Sequence, residues 1–306
     1  MARAVRFDEY GDRDVLYIAD VEVPTPQSGE VLVEVRAAGI NPGEAAIRTG
    51  ALAKMFPASF PSGEGSDLAG VVSQVGEGVE GFAVGEEVLG WSWQRSSHAQ
   101  YVTVPGAQLI QKPSRLSWEV AGSLYVVACT AYAAVRAVGA TRGDTVAVSA
   151  AAGGVGSVVV QLLRLKGASV LGIASESNHD WLRAKGAIPI SYGDRVAERL
   201  KAAAPDGIHA FIDLFGPDYV ELAVDLGIDR DRIETIIARQ KAQELGTKAE
   251  GSVDASTTDV LAEMAELVAS GAIEIPIADT YPLERVRDAY AELERRHTHG
   301  KIVLIP

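Results

Sequence analysis

One stretch in the middle of the chain, residues 144–157, most constrains what this sequence can fold into. It begins with the apolar run Val146–Val148 and then carries Gly153, Gly154 and Gly156. Beyond the glycines, apolar residues recur at helical spacing, at positions 155, 158, 159, 162 and 163. A glycine turn between a strand and a helix presents free N–H groups and the positive end of the helix dipole, which suit a phosphate. The stretch therefore predicts a dinucleotide site, with a turn whose glycines serve only close packing as the alternative.

Strands and helices alternate around this stretch. The apolar segment 118–138 predicts one or two helices, and short apolar runs after it predict strands. The predicted strands are residues 145–149, 169–174, 189–191, 210–214 and 232–237, and the helices between them are 155–166, 178–185, 194–203 and 217–226. This βαβα order is typical of a parallel, doubly wound sheet.

The two ends of the chain have different patterns. The N-terminal part contains short alternating runs separated by glycine turns, which predict a compact, barrel-like β domain. The C-terminal part predicts two amphipathic helices, 259–270 and 283–296, and a closing strand at 301–305. Its pattern leaves open whether this tail joins the parallel-sheet domain or returns to the first domain. The predicted boundaries are 1–117, 118–256 and 257–306.

Composition and charge exclude several classes of function. The 306 residues carry a formal net charge of −13, which makes the chain a poor binder of nucleic acid or of an anionic membrane surface. No run of about 18 apolar residues occurs, so no membrane span is predicted. Cys129 is the single cysteine, which excludes an internal disulfide and fits a reducing, cytoplasmic location. The five histidines lack the helical spacing of metal ligands, so no metal is predicted.

The glycine turn matches the dinucleotide fingerprint in part. The ideal pattern is Gly-x-Gly-x-x-Gly, and Ala151 stands at its first glycine while Gly153 and Gly156 are present. An acid at the end of the next strand would bind the ribose 2′-hydroxyl of NAD, but Ser175 stands there, which permits a 2′-phosphate and favours NADP. Glu176 weighs against this preference if it faces the ribose, because its charge would repel the phosphate.

Several further segments resemble a known family in their order and spacing. They are Ala37–Pro42, Ser66–Val72, Thr130–Tyr132, the glycine loop 150–161 and His299–Leu304. Together they resemble the medium-chain dehydrogenase/reductase superfamily and, within it, the zinc-free quinone oxidoreductase branch that includes zeta-crystallin. The resemblance runs over the whole chain. It implies an α/β fold in which a GroES-like β-barrel domain, completed by the C-terminal tail, accompanies a Rossmann domain, with NADPH and substrate in the cleft between them.

The resemblance also implies that the protein works without zinc. Zinc-dependent relatives carry metal ligands at three positions that hold Asn41, Ser66 and Val126 in this sequence. None of these side chains is a typical zinc ligand. Cys129 lies outside those positions and is interpreted as a buried apolar thiol.

Carried over position by position, the resemblance implies two groups of site residues. The candidate catalytic residues are Asn41, which lines the active cleft in the family, and Thr130, which lies by the nicotinamide. The candidate cofactor-binding residues are Asn41, Thr130, Gly153, Gly154, Val155, Ser175, Asn178, His179, Tyr192, Phe215, Ile237, Ala238 and Lys301. A surface position at a helix start is the alternative for His179.

Two departures from the family pattern affect these roles. Ala46 stands where many relatives have a tyrosine, so no side-chain general acid is assigned. Ser177 stands where some relatives have an arginine for the 2′-phosphate. Two segments, 51–62 and 91–98, are predicted to shape the acceptor pocket. A role in packing or in a lid is the alternative for Trp91, Trp93, His98 and Tyr125.

The activity implied by the resemblance is hydride transfer from NADPH to a small-molecule quinone or enone by a zinc-independent reductase. The protein would orient the reactants and exclude water, while the Asn41 amide, a ribose hydroxyl or water would donate to the acceptor oxygen. Two alternatives stay open, an alcohol dehydrogenase-type nicotinamide enzyme and a non-catalytic NADPH-binding redox sensor. The family resemblance also implies a homodimer.

Overall fold

A computed structural model describes all 306 residues, which form two compact units. Unit 1 consists of residues 1–126, 257–272 and 276–306, and unit 2 consists of residues 127–256 and 273–275. No helix is both long enough and apolar enough to cross a lipid bilayer.

The N-terminal part of unit 1 is rich in antiparallel strands. Its strands are β1 (Ala2–Phe7), β2 (Tyr17–Val21), β3 (Glu30–Gly39), β4 (Ser62–Gly63), β5 (Asp67–Val75), β6 (Glu87–Trp91), β7 (Tyr101–Pro105) and β8 (Leu109–Gln111). Two short helices accompany them, α1 (Pro42–Arg48) and α2 (Trp118–Ala121). The strand β3 is central, because it pairs with both β5 and β7. Alternating valines on these strands, from Val31 to Val104, pack into one apolar core.

The sequence predicts the first domain boundary after residue 117, whereas unit 1 continues to Val126. The reason is the close packing of α2 on unit 1. A Cβ atom at Gly122, which follows α2, would lie 2.3 Å from the carbonyl oxygen of Ala37, so only glycine permits this approach. The chain then passes into unit 2 along α3 (Leu124–Ala137).

Unit 2 is built on a parallel five-stranded sheet. After α3, its elements are β9 (Thr145–Val148), α4 (Gly154–Leu165), β10 (Ser169–Ala174), α5 (His179–Ala184), β11 (Ile188–Ser191), α6 (Val196–Ala203), β12 (Ala210–Asp213), α7 (Pro217–Asp225), β13 (Ile233–Thr235) and α8 (Arg239–Leu245). The strand order is β11-β10-β9-β12-β13, so the order reverses at β9. In such sheets, ligands bind beyond the carboxyl ends of the strands at this reversal. The glycine turn directly follows β9.

The C-terminal tail returns to unit 1. It contains α9 (Thr258–Ala269), β14 (Ile277–Pro282), α10 (Val286–Glu294) and β15 (Lys301–Ile305). The last strand pairs with β3 in antiparallel register, with Val303 opposite Gly39, and Tyr290 on α10 lies in the core beside Phe7 of β1. Only residues 273–275 belong to unit 2, where the backbone of Glu274 exchanges two hydrogen bonds with the Gln161 amide.

Candidate active-site residues

The glycine turn in unit 2 leaves the start of α4 open. Gly153 is the N-cap residue and no side chain caps the helix, while the Gly153 N–H donates to the carbonyl oxygen of Ala150 at 3.0 Å. A Cβ atom at Gly156 would lie 2.2 Å from the same carbonyl oxygen. The helix can therefore approach the turn this closely only with glycine at position 156. The uncapped N–H groups and the helix dipole suit a bound phosphate.

Ala151 replaces the first fingerprint glycine without closing the turn. Its methyl group would lie 3.2 Å from a Cβ atom placed at Gly172, which sits on the neighbouring strand β10. Because Gly172 has no side chain, the extra methyl group at Ala151 is accommodated inside the sheet. Gly172 on the neighbouring strand thus makes room for the side chain of Ala151, which stands where the fingerprint has a glycine.

A buried carboxylate at the end of β12 joins the ends of three strands. Asp213 has no exposed surface. Its Oδ1 accepts hydrogen bonds from Ser149 Oγ at 2.7 Å and from the N–H groups of Phe215 and Gly216 at 3.0 and 3.1 Å. Its Oδ2 accepts from Thr235 Oγ1 at 2.7 Å. Asp213 therefore fixes the loops that leave β9, β12 and β13.

These loops carry three of the predicted cofactor-binding residues. Phe215 follows β12, and Ile237 and Ala238 follow β13, where the Ala238 N–H donates to Thr235 Oγ1 at 3.1 Å. The side chains of Phe215 and Ile237 are 46% and 50% exposed. Large apolar side chains exposed at the carboxyl edge of a parallel sheet are expected where a ligand packs. Asp213 itself is not predicted from the sequence as a site residue.

A polar cluster follows β10, where the cofactor adenosine is predicted. The Asn178 amide donates to Ser175 Oγ at 2.9 Å, and the hydroxyls of Ser175 and Ser177 lie 2.9 Å apart. His179 begins α5, and its Nε2 is buried without a hydrogen-bond partner. The cluster supplies hydroxyl and amide donors, but no cation, to a phosphate.

A cation missed by sequence reasoning lies at the next strand. Arg199 on α6 donates to the carbonyl oxygens of Ser191 at 2.9 Å and Tyr192 at 3.1 Å, and it forms no ion pair with a carboxylate. Ala174 pairs with Ser191, so Ser175 and Tyr192 follow adjacent strand ends. No short motif marks Arg199. The feature that could have pointed to Arg199 is its position, because it is a basic residue on the helix that follows Tyr192. The side chain of Tyr192 is 52% exposed.

The two cations that stand nearer in sequence to the serine cluster are already paired with carboxylates. Arg183 pairs with Asp180 at 2.7 Å, and Lys185 pairs with Glu274. Thr130, the remaining predicted residue of unit 2, lies on α3 and is 6% exposed.

Asn41 and Lys301 belong to unit 1, where both are buried. The Asn41 amide nitrogen donates to Glu44 Oε1 at 3.1 Å and to Asp67 Oδ2 at 3.0 Å. An amide nitrogen has two N–H groups, so both are used. The expectation that Asn41 donates to an acceptor oxygen is therefore not supported by this geometry.

Lys301 is likewise committed within unit 1. Its ammonium group donates to the Ile40 carbonyl oxygen at 3.0 Å, to Asn41 Oδ1 at 2.5 Å and to Asp67 Oδ2 at 3.3 Å. These three acceptors match its three donors, so Lys301 has no N–H left for a cofactor. It positions Asn41 and Asp67 instead.

The three positions that the resemblance aligns with zinc ligands are held by carboxylates. Asn41 binds Glu44 and Asp67, the Ser66 N–H donates to Glu44 Oε1 at 2.7 Å, and the Val126 N–H donates to Asp67 Oδ1 at 2.7 Å. Burial raises the pKa of Asp67, and the Lys301 ammonium group opposes that shift. No group of three or more His, Cys, Asp or Glu residues is arranged to hold a metal ion.

Three aromatic residues of unit 1 form a cluster that is exposed only at Trp93. Trp91 stacks on Tyr125 with ring centroids 4.8 Å apart, and Trp93 packs edge-on against Tyr125 at 6.2 Å. Trp93 is 44% exposed. His98, by contrast, is fully buried, and its Nε2 lies 3.2 Å from the Gly39 carbonyl oxygen. Burial lowers the pKa of His98, which favours its neutral form.

Comparison with known proteins gives two family matches and full-length relatives. Residues 27–114 match the alcohol dehydrogenase GroES-like domain, and residues 187–304 match a zinc-binding dehydrogenase family. The quinone oxidoreductase of Mus musculus is 29% identical, over 100% of this chain and 98% of its own length.

Solved structures agree over the same length. The quinone oxidoreductase of Coxiella burnetii has a TM-score of 0.90 and 29% identity, with 100% of this chain and 99% of that chain covered. The Escherichia coli quinone oxidoreductase, solved in complex with NADPH, has a TM-score of 0.88 and 26% identity, with 99% and 100% covered.

Proposed function

Because the chain belongs to the quinone oxidoreductase branch of the medium-chain dehydrogenase/reductase superfamily, we propose that it reduces a quinone or enone with NADPH and without zinc. The observation that carries the proposal is the open glycine turn at the reversal of the parallel sheet, beside the loops fixed by Asp213. The NADPH complex of the Escherichia coli relative supports the same cofactor.

The residues of unit 2 fit a dinucleotide. Gly153, Gly154 and Val155 would hold the pyrophosphate through backbone N–H groups and the α4 dipole. Phe215, Ile237 and Ala238 would hold the nicotinamide ribose and ring, and Thr130 would lie by the ring. When bound, the reduced nicotinamide supplies the hydride.

NADPH rather than NADH is proposed from the groups beyond β10 and β11. The hydroxyls of Ser175 and Ser177 and the Asn178 amide would meet the 2′-phosphate, and Arg199 would supply positive charge. A guanidinium group that binds only neutral carbonyl oxygens keeps its full charge for an anion. Glu176 is exposed in the adjoining turn and is the opposing charge.

The acceptor would contact unit 1. The exposed ring of Trp93, which packs edge-on against the buried Tyr125, suits the flat ring of a quinone. Asn41 would line this region and be kept in place by Lys301 and Asp67, rather than act as a proton donor. The proton that completes the reduction would come from a ribose hydroxyl or water, since Ala46 offers no donor. A homodimer and a cytoplasmic location remain predictions.

The experiment that tests this function combines turnover with a variant of the turn. Wild-type protein should oxidise NADPH with at least one member of a panel of quinones and enones, and a chelator should leave the rate unchanged. Gly156→Ala places a Cβ against the Ala150 carbonyl oxygen and should raise the cofactor dissociation constant by at least about tenfold. Gly251→Ala is the matched control, because its nearest neighbour would lie 3.8 Å away.

Three results would contradict the proposal. Binding of NADPH without turnover on any acceptor would favour the redox sensor. Loss of activity in chelator would favour a zinc-dependent alcohol dehydrogenase. Unchanged cofactor affinity in Gly156→Ala would mean that the glycine turn has only a packing role.

A further inference from the structure

A second polar site lies in unit 1, at a cavity of about 430 Å³ between β1, β4 and two loops. Two arginines line it, Arg6 from β1 and Arg95 from the loop after β6. Residues 57–62 and 94–96 supply most of the remaining lining. Parts of the two segments predicted to shape the acceptor pocket, 51–62 and 91–98, therefore line this cavity.

The fold holds Arg6 at the cavity wall. Arg6 pairs with Gly63 across β1 and β4, and its Nη1 donates to the Val5 carbonyl oxygen at 2.9 Å. A Cβ atom at Gly63 would lie 3.2 Å from Arg6 Nη1 and 2.7 Å from the Arg95 carbonyl oxygen. The absence of a side chain at position 63 thus leaves room for the Arg6 guanidinium group and for the backbone of Arg95. Burial lowers the pKa of Arg6, which is expected of a cation that has lost water without gaining a carboxylate.

Arg95 reaches the cavity through an unusual backbone conformation. Its φ of 53° lies in the left-handed region, which is strained for a residue with a side chain. Its Nη2 donates to the Pro57 carbonyl oxygen at 3.3 Å, which joins the two loops.

Neither Arg6 nor Arg95 forms an ion pair with a carboxylate, in contrast to other arginines of unit 1. Arg3, Arg13, Arg36 and Arg48 of unit 1 each pair with a glutamate. Arg6 and Arg95 form no such pair, although the chain carries a net charge of −13. Glu64, which follows Gly63, is buried and pairs with Arg48 at 2.6 Å. The cavity therefore concentrates positive charge.

Neutral donors complete the site. Ser59 and Gln94 line the cavity, and their side chains make no hydrogen bond within the protein. Ser62 and Ser96 also line the cavity, where the Ser62 hydroxyl donates to the Gly63 carbonyl oxygen at 3.2 Å and the Ser96 hydroxyl lies 3.1 Å from that of Ser92. Guanidinium groups together with hydroxyl and amide donors are the set that binds carboxylate and phosphate oxygens.

We propose that this cavity binds the carboxylate or phosphate group of a small organic anion. The site goes beyond the reductase function, and it is defined without reference to the nicotinamide cofactor. Two arginines give planar, bidentate recognition of the anion, and the Ser59 hydroxyl and the Gln94 amide bind its remaining oxygens.

The test is calorimetric titration of the full-length protein, at low salt and without nucleotide, with two probes. Inorganic phosphate represents the phosphate class and benzoate represents the carboxylate class. At least one probe should bind saturably, and Arg6→Gln and Arg95→Gln should each raise its dissociation constant by at least about tenfold. Which probe binds more tightly identifies the class. Arg95→Gln, in a partly exposed loop, keeps the test valid if Arg6→Gln does not fold.

Two controls locate the binding. Arg115→Gln removes an arginine from a different cavity of unit 1, which also contains Glu266, and should leave the affinity unchanged. Arg199→Gln removes the cation of the proposed nucleotide site and separates phosphate bound in unit 2 from phosphate bound here. The proposal is overturned if neither probe binds saturably, or if both Arg6→Gln and Arg95→Gln bind as tightly as the wild type.

Discussion

The two units bury polar side chains in opposite ways. In unit 1, Lys301, Asn41, Asp67 and Glu44 are all nearly inaccessible and are hydrogen-bonded to one another. In unit 2, Asp213 is equally buried, but two of its four donors are backbone N–H groups of a loop that exposes Phe215. The first cluster is closed on itself, while the second supports a surface.

This difference separates two uses of a buried charge. Removing a charge from water costs free energy. In unit 1 this cost is offset by the opposite charges of Lys301 and Asp67 and by the hydrogen bonds that the Lys301 and Asn41 N–H groups donate. The result is a closed interior at positions where zinc-dependent relatives carry metal ligands. In unit 2 a single carboxylate is offset by neutral donors, and the result is a fixed loop edge where a ligand can bind. Variants of the unit 1 cluster should therefore lower the free energy of unfolding, whereas variants at the edge of unit 2 should also change cofactor affinity.

The largest effect is expected from Lys301→Met, which breaks the closed cluster. Asp67 would remain buried without its cation, and removal of one partner from a buried ion pair costs about 3–5 kcal/mol. The free energy of unfolding, measured by denaturant titration, should fall by that amount. Lys201→Met, at an exposed position on α6, is the control. A loss below about 1 kcal/mol would show that the charge of Lys301 is not needed to bury Asp67.

A smaller effect on stability but a distinct one on binding is expected from Asp213→Asn. The amide nitrogen replaces an oxygen that accepts from Thr235 Oγ1, so one buried hydrogen bond is lost at a cost of about 1–3 kcal/mol. Because the loops after β12 and β13 loosen, the dissociation constant for NADPH should also rise. Asp206→Asn, in an exposed turn, should change neither quantity. Lost stability with unchanged NADPH affinity would mean that Asp213 does not position the cofactor loops.

The smallest effect is expected from Arg199→Gln, which removes a positive charge beside the loop that follows β11. Loss of the cation should lower the ratio of NADPH to NADH affinity by about tenfold. Because Arg199 also donates to the Ser191 and Tyr192 carbonyl oxygens, the ratio of the two affinities, rather than stability, is the readout. Arg183→Gln is the matched control, since that arginine is already paired with Asp180. A wild-type ratio near one, or an unchanged ratio in Arg199→Gln, would contradict the assignment of NADP.

The parallel sheet of unit 2 is predicted well from the sequence because its signals are local. Apolar runs such as Val146–Val148 and the glycine turn define strand, turn and helix within a few residues. The predicted helix at 155–166 and strand at 169–174 lie within one residue of the observed α4 and β10. The GroES-like and Rossmann fold class is confirmed by the family match and the solved relatives.

The clusters are not predictable in the same way. Helix α1 is missed because its buried residues are Glu44 and Arg48, so it shows no apolar stripe. The burial of Lys301 depends on Asp67 and Asn41, which are far away in sequence, and no periodic pattern records such partners. Asn41 and Lys301 are found through the family resemblance, but only the structure shows that their donors are already used. Arg199 escapes notice because its helix carries no motif.

The pairing of β15 with β3 has a consequence for how the chain folds during synthesis. Val303 lies opposite Gly39, so the sheet of unit 1 cannot close until the ribosome has released almost the entire chain. All five strands of unit 2 are present once residue 235 has been made. Because domains fold as units during translation, unit 2 can fold before unit 1. In unit 1, β3 and Asp67 lack their partners until β15 and Lys301 have been made. In that interval the nascent chain carries an unpaired strand edge and an unneutralised aspartate, and both become hidden together when the last strand docks.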